Sequence, residues 1–259
     1  MRNLNAVLLT LFAGVFFLFG FVLVKFVKKK RELSILATGM ALVVMLGMTF
    51  FDLMPEILEM SEMVSFGKWQ KLLYILAFMI LGILLLKVFD YFLPHHHHEH
   101  HEHEKNHEEH DHHLFHIGFI LTTSLILHNI LEGMSIYIIG AESLSAGFLT
   151  ALAVGFHNLP LGIEVASSIE VEKNNGLLKK VIAILLVLSS SFGAIILYLL
   201  GGNIPTIVLL ALISLACGMI LYIALFELLV EVMSYLKRRE TYYGMAIGVI
   251  VLLLMTFIH

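Results

Sequence analysis

The chain has 259 residues, of which 59% are hydrophobic and only 14% charged, with a net charge of −4 and a mean hydropathy of +0.92. Soluble domains carry about 25% charged residues, so this balance excludes a soluble enzyme, and the slightly acidic total offers no basic field for nucleic acid. A single cysteine, Cys217, cannot form an internal disulfide.

The apolar residues fall in long blocks of the length that crosses a bilayer as a helix, about 20 residues each. The first, 4–26, is too long for a signal-peptide core, has only Arg2 before it and lacks a small-x-small cleavage site. It is expected to be retained as a helix. Further spans are expected at 33–53, 72–93, 114–139, 146–169, 181–200, 204–232 and 243–257. Continuous apolar runs, without ten-residue alternation, exclude barrel strands. The expected fold is therefore all-α, a polytopic membrane protein with eight transmembrane helices. Residues 1–94 hold spans one to three, 95–113 a polar loop, 114–176 spans four and five, and 177–259 spans six to eight.

Charge orients these spans. With the N-terminus outside, the inner segments hold twelve of the sixteen Lys and Arg residues, and the outer ones only Arg2, Lys68 and Lys71. Lys87 lies inside span three near its inner end and can snorkel. Cytoplasmic loops carry the excess of Lys and Arg, so both termini are expected outside, which requires an even number of spans. An integral protein of the plasma (inner) membrane is expected.

Between spans three and four stands HHHHEHHEHEKNHEEHDHH, with eleven histidines and six acidic residues. The histidines are His95, His96, His97, His98, His100, His101, His103, His107, His110, His112 and His113. An affinity tag would sit at a terminus and would not be interleaved with Glu. The composition predicts a disordered cytoplasmic loop that captures metal, because imidazole suits Zn, Ni, Cu and Fe and the carboxylates concentrate cations.

One short pattern occurs twice. Phe51-Asp52-Leu53-Met54-Pro55-Glu56 ends span two, and Phe226-Glu227-Leu228-Leu229-Val230-Glu231 lies late in span seven. Both read Phe-acid-Leu-x-x-Glu, on spans of opposite direction, as an inverted-repeat transporter would show. Asp52 and Glu56 are candidates for an entrance or gate. Inside the membrane, each ionisable residue is a functional candidate. His128 and Glu132 in span four are one turn apart on one face, so one helix can offer both to a divalent ion. His157 in span five can add a third ligand, and Asn129 and Asn158 offer amide oxygens beside it. Pro160 removes a backbone donor and is expected to kink span five. Glu164 lies two turns after His157 on a similar face, where it either joins the ion or lines its exit.

These residues resemble the ZIP family of divalent-metal transporters. The resemblance rests on His-Asn-x-x-Glu-Gly (His128, Asn129, Glu132, Gly133) and His-Asn-x-Pro-x-Gly (His157, Asn158, Pro160, Gly162). It extends to the eight spans, the histidine loop and the Asp52/Pro55/Glu56 end of span two. It implies inverted repeats of three helices around a central pair, spans four and five, a metal site between that pair, and a homodimer. The chain departs from many prokaryotic relatives in having Leu161 where they have Glu, and Ser190 in a stretch where span six often carries an acid. A second, adjacent metal position would then lack negative charge, which a buried dication needs.

The function expected from residues and resemblance together is uptake of a divalent transition metal into the cytoplasm by alternating access. Zinc comes first, then iron, manganese or cadmium. The alternatives are metal export, and a membrane-bound sensor or buffer without transport. No GxxxxGK[ST] phosphate loop and no HExxH protease motif is present, so neither an ATPase nor an enzyme of any other kind is expected, and no catalytic cofactor. The partners expected are lipid and metal ions, with no nucleic acid.

Overall fold

The computed structural model describes residues 3–92, 106–170, 176–201 and 205–258, and these form helices with no strand among them. Eight rods run in chain order. They are α1 (Leu4–Phe26), α2 (Lys30–Met48, continued through Thr49–Leu53 to Met54–Glu62), α3 (Lys68–Phe92) and α4 (Asn106–Glu142). Then follow α5 (Leu144–Glu170), α6 (Gly176–Leu200), α7 (Thr206–Tyr222, continued through Ile223–Leu228 to Leu229–Ser234) and α8 (Arg239–Ile258). Among the described residues, all but α8 are long and apolar enough to cross a membrane.

Local chemistry sets several ends. Asn3 caps α1 by accepting from the backbone N–H of Asn5 and Ala6. Gly201 follows α6 with φ +67°, the left-handed turn that glycine permits after a helix. α4 begins at Asn106, so the second part of the histidine tract continues into a helix that also carries His128 and Glu132. The tract's first part, His95 to His103, lies outside the described residues. α5 runs unbroken through Pro160.

Two rods carry a wider turn. In both α2 and α7 the Phe-acid-Leu triplet falls in a single π-helical stretch, Thr49–Leu53 and Ile223–Leu228. Such stretches interrupt the i→i−4 ladder and are frequent at functional sites. The packing repeats as well. α1 packs on α5 and α4 on α6, α2 on α8 and α3 on α7, and α4 on α5. Renaming α1, α2, α3 and α4 as α6, α7, α8 and α5 maps this set onto itself. Successive rods alternate in direction, so the two halves are inverted copies around the α4–α5 pair.

Glycine makes the closest crossings possible. A Cβ on Gly133 of α4 would collide with the Ser190 carbonyl of α6, and one on Gly162 of α5 with the Phe17 carbonyl of α1. Likewise Gly193 abuts the Ile130 carbonyl, and Gly20 the Leu159 carbonyl. These pairs obey the same renaming, and the α4 and α5 positions differ by a constant 29.

The bundle's outer surface is apolar. Leu8 and Phe19 on α1, Leu73 and Leu84 on α3, Leu185 and Leu199 on α6 and Ile250 on α8 are exposed. A water-soluble monomer would not present so much hydrocarbon; lipid covers it. Of the seven long apolar rods α3 is the least buried, whereas α2, α5 and α7 are largely enclosed. The polar residues described next therefore sit behind apolar walls.

Candidate metal centre

α4 and α5 meet at His128, Glu132 and His157. The Nε2 atoms of His128 and His157 stand 2.9 and 2.8 Å from the same Glu132 oxygen, Oε1. One ligand atom from each of the three lies within 4.8 Å of the others. The imidazole rings are 6.2 Å apart between centroids and tilted by 42°. Both histidines are 1% exposed and the Glu132 side chain 9%.

None of the ring nitrogens and neither Glu132 oxygen makes a hydrogen bond. Buried polar groups are almost always hydrogen-bonded, and leaving one unpaired costs about 1–3 kcal/mol. One such atom from each of the three residues converges on a common point, as binding of a cation requires. Two imidazoles and one carboxylate form a ligand set like those of open zinc sites, which keep a position for water or cargo.

Asn129 and Asn158 flank the trio and are wholly buried. Each amide N–H₂ is taken up by a neighbouring rod: Asn129 donates to Ser189 Oγ at 3.1 Å, and Asn158 to the Ala13 carbonyl at 3.2 Å. The two amide oxygens remain unpaired. Leu161, the α5 counterpart of Glu132, is fully buried in the hydrophobic core. Ser190, also buried, carries no charge.

The trio lies at the wall of a cavity. This cavity, of about 630 Å³, runs from His128, Glu132 and His157 toward the face where α2 ends and α4 joins α5. Asp52, Glu56 and Glu59 of α2, Ser135 of α4 and Thr150 of α5 line it. Ser135 Oγ donates to Glu56 Oε1 at 3.4 Å. Three acids along a pocket with apolar walls focus field on a cation. Sequence reasoning named Asp52 and Glu56 but missed Ser135, Glu59 and Thr150. Ser135 was within reach of it, standing three positions after Glu132 on the same helical face.

Glu164 is not part of the trio. Seven residues along a helix is about 10 Å, and there its Oε1 accepts from Thr38 of α2 and Ser168 of α5, each at 3.2 Å. Thr38 and Ser168 also escaped the sequence reading: nothing in the local pattern ties α2 to α5, although Ser168 stands one turn after Glu164 on the same face.

The family model described as ZIP Zinc transporter matches residues 93–256. A curated relative, the Zinc transporter ZupT of Stenotrophomonas maltophilia (strain R551-3), is 27% identical over 248 residues, 94% of this chain and 91% of the relative. That match covers well over half of the chain, including both His-Asn segments and the buried trio between α4 and α5. This chain belongs to the ZIP zinc transporter family.

Proposed function

We propose that the protein takes up zinc into the cytoplasm, with iron, manganese or cadmium as lesser cargo, through a single metal position built from His128, Glu132 and His157. The observation that carries this reading is the set of buried, unpaired imidazole and carboxylate atoms at the floor of an acid-lined cavity. The twelve-to-three excess of Lys and Arg favours the opposite face as cytoplasmic, so the cavity faces outside.

Asp52, Glu56 and Glu59 draw the hydrated ion inward. Glu132 neutralises part of its charge while the two imidazoles replace water. The Asn129 and Asn158 oxygens are neutral donors at the edge of the site. The inverted halves then exchange roles, closing the outer path and opening an inner one. The histidine tract receives the ion on the cytoplasmic side, in a plasma-membrane homodimer with both termini outside.

Metal flux into proteoliposomes under an imposed gradient tests this. Removing one member of a buried charged contact costs about 3–5 kcal/mol. Uptake by His128→Ala and by Glu132→Ala is therefore expected to fall at least about a hundredfold. Undiminished flux in both variants would remove the site assignment. Flux only outward would convert the reading to export. Metal binding that vanishes when 95–113 is deleted, with no flux in either form, would leave a buffer.

A further inference from the structure

We propose that Thr38 of α2 and Glu164 of α5 form a latch that holds the inner half of the transport path shut in this form of the protein. The inference rests on the transport reading above, and it gives a part in the cycle to residues outside the metal trio.

The inverted repeat places these residues on that path. Counterparts on α4 and α5 stand 29 positions apart, and those on α2 and α7 stand 175 apart, the shift from Glu56 to Glu231. Helix packing gives the second shift independently. A Cβ on Gly248 of α8 would meet the Met40 carbonyl of α2, and one on Gly82 of α3 would collide with the Leu215 carbonyl of α7. By these counts Glu164 corresponds to Ser135, Ser168 to Ile139 and Thr38 to Ile213. Ser135, Ile139 and Ile213 all line the cavity beside the trio. Their three counterparts are at most 1% exposed. When the halves exchange packing, these are the side chains that an inner path uncovers.

In the present form they are bonded to one another. Thr38 Oγ1 donates to Glu164 Oε1 at 3.2 Å and ties α2 to α5. Ser168 Oγ, one turn after Glu164, donates to the same oxygen at 3.2 Å and steadies the carboxyl from its own helix. Oε2 has no hydrogen-bond partner, so the carboxyl is held through one oxygen. Both partners of that oxygen are hydroxyls, and Thr38 shares its own with the Ser34 carbonyl at 2.9 Å. Such a bond is directional enough to fix α2 against α5. It also breaks more readily than a buried ion pair, whose separation is strongly unfavourable.

The outer half lacks the equivalent. Ile213 stands where the inner half has Thr38, and an isoleucine cannot bond Ser135, whose hydroxyl goes to Glu56 instead. The latch therefore exists in only one of the two forms. A contact made in one form alone shifts the population toward it, here toward the form whose cavity receives the ion.

The test is cysteine reactivity in proteoliposomes of the full-length chain. Ser135→Cys reports the outer path. Ser124→Cys reports the inner one, because Ser124 is 1% exposed and is the counterpart of Ala153, which lines the cavity. Thr38→Val keeps the side-chain volume and removes the hydroxyl, and Thr38→Ser keeps the hydroxyl. Thr38→Val is expected to raise the rate at which Ser124→Cys reacts with an impermeant thiol reagent on the inner face by about fivefold, the shift in equilibrium for one lost buried hydrogen bond. It is expected to lower the rate for Ser135→Cys from outside. Glu164→Met, which removes the acceptor, is expected to give the same pattern, and Thr38→Ser to match the parent. Unchanged rates at both reporters would overturn the latch. So would a rise at both, the mark of loosened packing, or a Thr38→Ser variant that behaves as Thr38→Val does. A wild-type chain that moves no zinc would instead overturn the transport reading, and the latch's part in it.

Discussion

Glu132 bridges two helices with one oxygen, and Leu161 shows what the opposite choice does. The α4 residue gives its neighbouring imidazoles a charge; its α5 counterpart gives them hydrocarbon. Leu161→Glu places a carboxylate one turn after His157, as Glu132 stands to His128. Zinc bound per chain, measured by elemental analysis of purified protein lacking residues 95–113, is expected to rise from one to two. The metal-free variant is expected to melt at lower temperature, because an unpaired charge then replaces a core leucine. At this scale much was legible in the sequence. His128 and Glu132 declared themselves by helical spacing, and His157 by the repeated His-Asn pair. Glu164 also stood out as an intramembrane acid, but its surroundings did not, because they include Thr38, which arrives from a helix more than a hundred positions away. Periodicity within α5 carries no information about that partner.

Between elements, the contacts that set the trio are backbone against backbone. Gly133 and Gly162 let α6 and α1 press directly on the helices that carry the ligands. Gly133→Ala and Gly162→Ala each force two rods apart, and overpacking of this kind costs about 1–3 kcal/mol. Both are expected to lower the thermal unfolding midpoint in detergent. Gly176→Ala, which meets open space at the start of α6, is expected to leave it unchanged. The number and order of rods were legible from apolar run length. Their ends were less so. α4 starts at Asn106, and α8 starts at Arg239, because polar residues extend a helix beyond its apolar core without any hydropathy signal. The π-helical stretches were also hidden. The Phe-acid-Leu repeat marked their places, but its residue types do not distinguish a wide turn from a regular one.

For the whole molecule, the cavity beside the trio opens toward one face, and chemistry can report which face that is. Ser135 lines the cavity, whereas Ser168 is completely buried beside Glu164. Ser135→Cys is expected to react with a membrane-impermeant thiol reagent added outside, and zinc is expected to slow that reaction. Ser168→Cys is expected to stay unreactive in the same membranes. Cys217 is buried, so the native background is low. The relation between the halves then bears on energetics. If each half can adopt the other's packing, the outward and inward forms bury nearly the same surfaces and differ little in free energy. The resting preference then falls to the polar positions that the copies do not share, among them Glu132 against Leu161 and Ser135 against Glu164. Exchanging those side chains would tilt the balance between the two forms without altering a single helix crossing.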